Sequence, residues 1–103
     1  MHLEWSVFAR ADRKAIFDYI ESDNPRAAIT VDERIRIRVE ALMQFPETGR
    51  HGRVEGTREL VIPGTPYIAA YRISGDTVLV MRVLHGAQQW PAVMPEMPEE
   101  ERL

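Results

Sequence analysis

Cysteine is missing from all 103 residues, which excludes disulfides and thiolate metal sites and makes a reducing cytoplasm the expected setting. No stretch of about 18 apolar residues occurs, so no membrane-spanning helix and no membrane partner is expected. Met1–Phe8 mixes charged and apolar residues and lacks the core of a signal peptide. The metalloprotease pattern HExxH, the phosphate loop GxxxxGKS/T and the dinucleotide glycine fingerprint are all absent. His2, His51 and His85 do not fall at metal-ligand spacing, and no Ser/His/Asp constellation is visible, so neither metal nor cofactor is expected. Lysine is nearly lacking too: Lys14 stands alone among 13 basic residues, and the rest are arginines. Arginine offers a planar fork that matches carboxylate and phosphate. An arginine-rich body therefore suits discrete ion pairing better than diffuse attraction to a polyanion, although genome composition alone produces the same bias.

What is present suffices for one globular domain, with 45% hydrophobic and 28% charged residues. A domain this small buries only about 60–70% of its unfolded surface, so a partner is expected to supply part of its stability. The formal net charge of −3 is accounted for by Met94–Leu103, where Glu96, Glu99, Glu100 and Glu101 face Arg102, while residues 1–93 are neutral. The expected organisation is a single domain over 1–91 and a flexible acidic tail over 92–103.

Leu3–Phe8 is rich in strand formers. Ile16, Tyr19 and Ile20 mark a helix over Ala9–Ser22. Asn24 is a favoured N-cap and Pro25 a favoured first helical residue, so a second helix is expected from Pro25 to about Met43. Its apolar stripe is Ala28, Val31, Ile35, Val39 and Leu42, and its far side carries Glu33, Arg34, Arg36, Arg38 and Glu40 as a solvated face. Residues 46–56 read as a polar loop. Strands are expected over Thr57–Ile62, Tyr67–Ser74 and Thr77–His85, the last two joined by a two-residue turn at Gly75-Asp76. The order β-α-α-β-β-β predicts an α+β fold, two helices packed on a small antiparallel sheet.

An uninterrupted hairpin register sets Arg58 opposite Tyr71, Leu60 opposite Ala69, Tyr71 opposite Val80 and Ala69 opposite Arg82. One face then carries Arg58, Tyr71, Arg82 and Leu84, and the other carries Val83 and His85. Arg58, Tyr71 and Arg82 together suggest an anion site; the alternative is that each arginine reaches a local glutamate at the sheet edge. Both faces are apolar, and two helices cover only one well, so the second face is expected to be open for a partner. His85 is a candidate general acid, with a structural or partner-facing role as the alternative. Trp5 and Trp90 read as packing residues.

Gly49-Arg50-His51-Gly52-Arg53, Thr57-Arg58-Glu59-Leu60, Pro66-Tyr67-Ile68, Tyr71-Arg72 and Arg82-Val83-Leu84-His85-Gly86 resemble the RelE/ParE superfamily of bacterial toxins. Tyr19-Ile20, Asn24-Pro25 and Ala27-Ala28 resemble its helical half. The resemblance implies the same fold and a growth-inhibiting cytoplasmic toxin held by a cognate antitoxin. RelE-like members cut mRNA on the ribosome without a metal, and ParE-like members poison DNA gyrase. Arg58, Arg82 and His85 fall where ribonuclease members carry functional residues, and Arg53, Tyr71 and Arg72 are candidate target contacts. The lysine cluster of RelE is missing, and a neutral body is poorly equipped for ribosomal RNA, which favours the gyrase side. An inactive, antitoxin-binding paralogue is a further alternative. Deleting residues 94–103 is expected to lower the melting temperature by no more than a few degrees, measured by thermal unfolding.

Overall fold

The computed structural model describes residues 1–88 and Trp90; the expected acidic tail lies outside them. Strand β1 (His2–Trp5) is followed by helices α1 (Val7–Glu21) and α2 (Pro25–Glu40), a short 3-10 turn (Ala41–Met43), and strands β2 (Arg50–His51), β3 (Arg58–Val61), β4 (Tyr67–Ser74) and β5 (Thr77–His85). The sheet order is β1-β5-β4-β3-β2. The strand β2 lies inside the stretch read as loop. The sheet is mixed rather than antiparallel, because β1 runs parallel to β5, pairing His2 with Thr77 and Trp5 with Val80.

Both helices start where side chains satisfy their free amides. Ser6 caps α1, its Oγ accepting from the Ala9 amide at 2.9 Å, and Asn24 caps α2 by accepting from the Ala27 amide at 3.1 Å. Pro25 follows at the first helical position. A bidentate pair from Arg13 to Asp32, both contacts at 3.0 Å, ties the helices together. The same guanidinium lies 4.6 Å over the Trp5 ring. Ala9, Ile35, Val39 and Leu42 pack on Leu60, Ile62, Ala69, Tyr71, Val78, Val80 and Val83 as the main core.

The β3–β4 register follows expectation, with Arg58 opposite Tyr71 and Leu60 opposite Ala69. The β4–β5 register does so only from Ser74–Thr77 to Tyr71–Val80. There β5 bulges, with Met81 as the extra residue, and Ala70 then faces Arg82 and Ala69 faces Val83. One inserted residue reverses the face of everything beyond it. Val83 turns into the main core, while Leu84 joins a second cluster. The predicted face shared by Arg58, Tyr71 and Arg82 is thereby broken.

The second sheet face is not open. Ala70, Leu79 and Met81 are buried there beneath Leu84, brought to this face by the bulge, and Val54 and Trp90, which lie outside the strands and which a strand-by-strand reading leaves out. The bulge coincides with the end of β1. Beyond Trp5, the Ser6 amide donates to the Val80 carbonyl at 2.9 Å and the Ser6 hydroxyl donates to the Met81 carbonyl at 2.7 Å. Ser6→Ala removes a helix cap and leaves that buried carbonyl unpaired. It is expected to cost about 1–3 kcal/mol, measured by denaturant unfolding.

Candidate functional site

Helix α1 lies along the half of β5 that β1 does not reach. Between them opens a groove of about 1050 Å³, lined by Asp12, Ile16, Tyr19, Tyr67, Arg82 and His85 among others. Asp12 is its organising residue. Its carboxylate accepts from Arg82 Nε at 2.7 Å, from Arg82 Nη2 at 2.9 Å and from the Val83 amide at 2.9 Å. The hydrogen bond to Asp12 raises the Arg82 pKa further against the effect of burial. The guanidinium is therefore charged, but its charge is already matched by a bidentate carboxylate.

His85 ends β5. Its Nδ1 accepts from the Ala87 amide at 3.1 Å. In the neutral ring that bond places the proton on Nε2. The Tyr67 ring meets the imidazole edge-on at 5.8 Å between centroids. Burial, with a smaller contribution from Tyr19, pushes the Tyr67 phenol up, so it stays a neutral donor. Tyr19, 75% exposed, forms the outer wall. The groove thus offers two phenols, an imidazole and an apolar floor from Ile16, with its one arginine neutralised. It is equipped to hold a protein segment by packing and hydrogen bonds. A polyanion would find no uncompensated charge in it.

The structure brings Arg82 and His85 together and sets Arg58 and Tyr71 elsewhere. Tyr71 is fully buried; its hydroxyl donates to the Pro46 carbonyl at 2.7 Å and accepts from the Gly49 amide at 2.9 Å. Burial raises its pKa. Arg58 Nη1 donates to the carbonyls of Gly49 at 2.8 Å and Glu47 at 3.3 Å. Together they fasten the chain from Pro46 to Gly49 to the sheet. Gly49 is required there, since a Cβ would sit 2.7 Å from the Tyr71 ring.

Arg53 is likewise committed. Its Nε and backbone amide donate to Glu59 at 3.1 and 2.7 Å, and its guanidinium lies 3.8 Å over the Trp90 ring. Arg50 completes the pair of guanidiniums around the Glu59 carboxylate, whose side chain is 3% exposed. Arg72 is half-buried, with an Nε that donates to nothing among the described residues. The groove residues missed by sequence reading are Asp12, Tyr19 and Tyr67. Asp12, Ile16 and Tyr19 recur at i, i+4 and i+7 on α1, a spacing that marks one helix face.

Burial by itself raises the Glu59 pKa, but the hydrogen bonds from Arg53 and Arg50 outweigh it, and the folded value falls below the ordinary 4.5. A lowered carboxylate contributes stability that is fully present above its unfolded value and is lost as pH falls through the folded one. Melting temperature should therefore drop on acidification below about 4.5, and Glu59→Gln should flatten that limb while lowering stability at neutral pH. Thermal melts across pH check both.

The model of the ParE toxin of the type II toxin–antitoxin system parDE matches residues 3–90. The chain is 46% identical over 92 residues to a candidate toxin, Y4kP, of Sinorhizobium fredii, covering 89% of this chain and 95% of that protein. It is 32% identical over 84 residues to the toxin RelE2 of Caulobacter vibrioides, covering 82% and 93%. A solved chain from the chromosomal ParDE system of P. aeruginosa superposes with a TM-score of 0.74 at 29% identity, covering 81% of this chain and 92% of that one.

Proposed function

Because this chain belongs to the ParE family of toxins of type II toxin–antitoxin systems, we propose that it arrests growth by occupying a surface of DNA gyrase and is neutralised by a cognate antitoxin. The observation that carries this reading is the bidentate Asp12–Arg82 pair. A metal-free ribonuclease needs a preorganised positive charge at the scissile phosphate. Here Arg82 faces a carboxylate, and Arg58 is spent on backbone carbonyls in a separate part of the sheet. His85 has a proton-carrying nitrogen but, among the described residues, no unpaired cation lines the groove beside it. A gyrase poison needs none of these and acts by complementarity of shape and packing, for which the Tyr19–Tyr67 groove is suited.

The ribonuclease reading is favoured by the similarity to two proteins named RelE2 and RelE1. Induced expression without antitoxin separates the two readings. With gyrase as target, mRNA stays intact at lethal expression, gyrase-linked DNA breaks accumulate, and Arg58→Ala, Arg82→Ala and His85→Ala, each checked for folding, show graded losses of toxicity, few above about 2 kcal/mol in target affinity. Ribosome-dependent cleavage by the wild type, falling about 10²–10⁴-fold in folded His85→Ala, would overturn the proposal. A folded protein that binds antitoxin and never arrests growth would identify an inactive paralogue.

A further inference from the structure

Three arginines of α2 belong to no ion pair among the described residues: Arg26 at its exposed start, and Arg34 and Arg38 farther along. Arg34 and Arg38 line a shallow groove of about 390 Å³ together with Ile37, Pro63 and Gly64. Arg34 reaches only the Gly64 carbonyl, at 3.4 Å. Arg38 Nε is buried and donates to nothing among the described residues. The glutamates of the same helix are already engaged, Glu33 and Glu40 holding Arg36 between them at 3.2 and 3.1 Å. Ile37 lies between the two arginines and is 57% exposed. The turn after β3 forms one wall of this surface: Gly64 adopts φ +75°, and a Cβ there would collide with the Arg34 guanidinium.

We propose that Arg34, Arg38, Ile37 and Pro63 form a docking surface for an acidic segment of the antitoxin, two carboxylates flanking one apolar side chain. The inference rests on the toxin–antitoxin reading and adds to it a surface that shares no residue with the Asp12–His85 groove. Charge complementarity carries it. Two cations without carboxylates flank an exposed isoleucine, an arrangement that two carboxylates on either side of an apolar side chain complement. Four residues apart on a helix, the arginines are separated by about 6 Å along the axis. That spacing matches carboxylates at i and i+4 of a helix or i and i+2 of a strand. A nucleic acid fits poorly, because two guanidiniums neutralise too few phosphates to hold it.

The test is calorimetric titration of the full-length toxin with the antitoxin encoded beside it. Arg34→Glu with Arg38→Glu is expected to weaken binding by about tenfold or more and to reduce its salt dependence, with an unchanged melting temperature. The milder Arg34→Gln with Arg38→Gln should give a smaller loss in the same direction, and covers the case in which the charge reversal fails to fold. Arg26→Glu, an equal charge change at the exposed start of α2, should leave affinity unchanged. Wild-type affinity in the folded double variants overturns the proposal. So does an equal loss from Arg26→Glu, or lost toxicity with antitoxin affinity intact, which assigns the surface to the target. A wild-type toxin that binds no antitoxin overturns the toxin–antitoxin reading itself.

Discussion

The unpaired half of β5 is the constraint on which the rest of this molecule depends. A strand edge presents amides and carbonyls that water or protein must satisfy. Here β1 pairs only with Thr77–Val80. The cap and early turns of α1 take over, Ser6 through its amide and hydroxyl and Asp12 through its carboxylate. Helix α1 is thus tied to the sheet by hydrogen bonds as well as by packing. The same handover contains the Met81 bulge, which turns Val83 into the core. One local irregularity therefore sets the helix position, the core composition and the placement of Arg82.

The chemistry of the surface follows from how the arginines are spent. Arg13, Arg36, Arg50, Arg53 and Arg82 each meet a carboxylate, and Arg58 meets backbone carbonyls. Several of these pairs are bidentate or gather on one buried acid. Removing one member of such a pair leaves the other uncompensated, so the pairs act as positional locks more than as sources of net stability. Among the described residues Arg10, Arg26, Arg34, Arg38 and Arg72 meet no carboxylate. Arg34 and Arg38 stay so although glutamates share their helix, because Glu33 and Glu40 are held by Arg36.

The groove between α1 and β5 owes its character to the same economy of charge. Its arginine is neutralised, the Tyr67 phenol is held neutral by burial, and its imidazole is oriented by the chain that follows β5. Such a surface recognises by shape, stacking and hydrogen bonding, the means by which protein interfaces acquire their strongest contacts. The second sheet face, which apolar patterning alone would leave for a partner, is closed by Val54, Leu84 and Trp90. The α1–β5 groove and the α2 face remain accessible at the helix side and the strand edge.

Local signals in the sequence determined the helix starts at Asn24-Pro25, the Gly75-Asp76 turn, the β3–β4 register and the family resemblance, because each depends on residues close together in the chain. The Asn24 cap and the turn glycine need no distant partner to favour their conformations. The parallel pairing of β1 with β5, the two-residue strand β2, the Met81 bulge and the cover over the second face were decided only in the tertiary structure. Each joins segments far apart in sequence; the Asp12–Arg82 contact spans 70 residues. Periodicity reports which residues are apolar, but it cannot report where a neighbouring strand ends. That end point, at Trp5, is where the register of β5 changes, and with it the face on which its functional candidates lie.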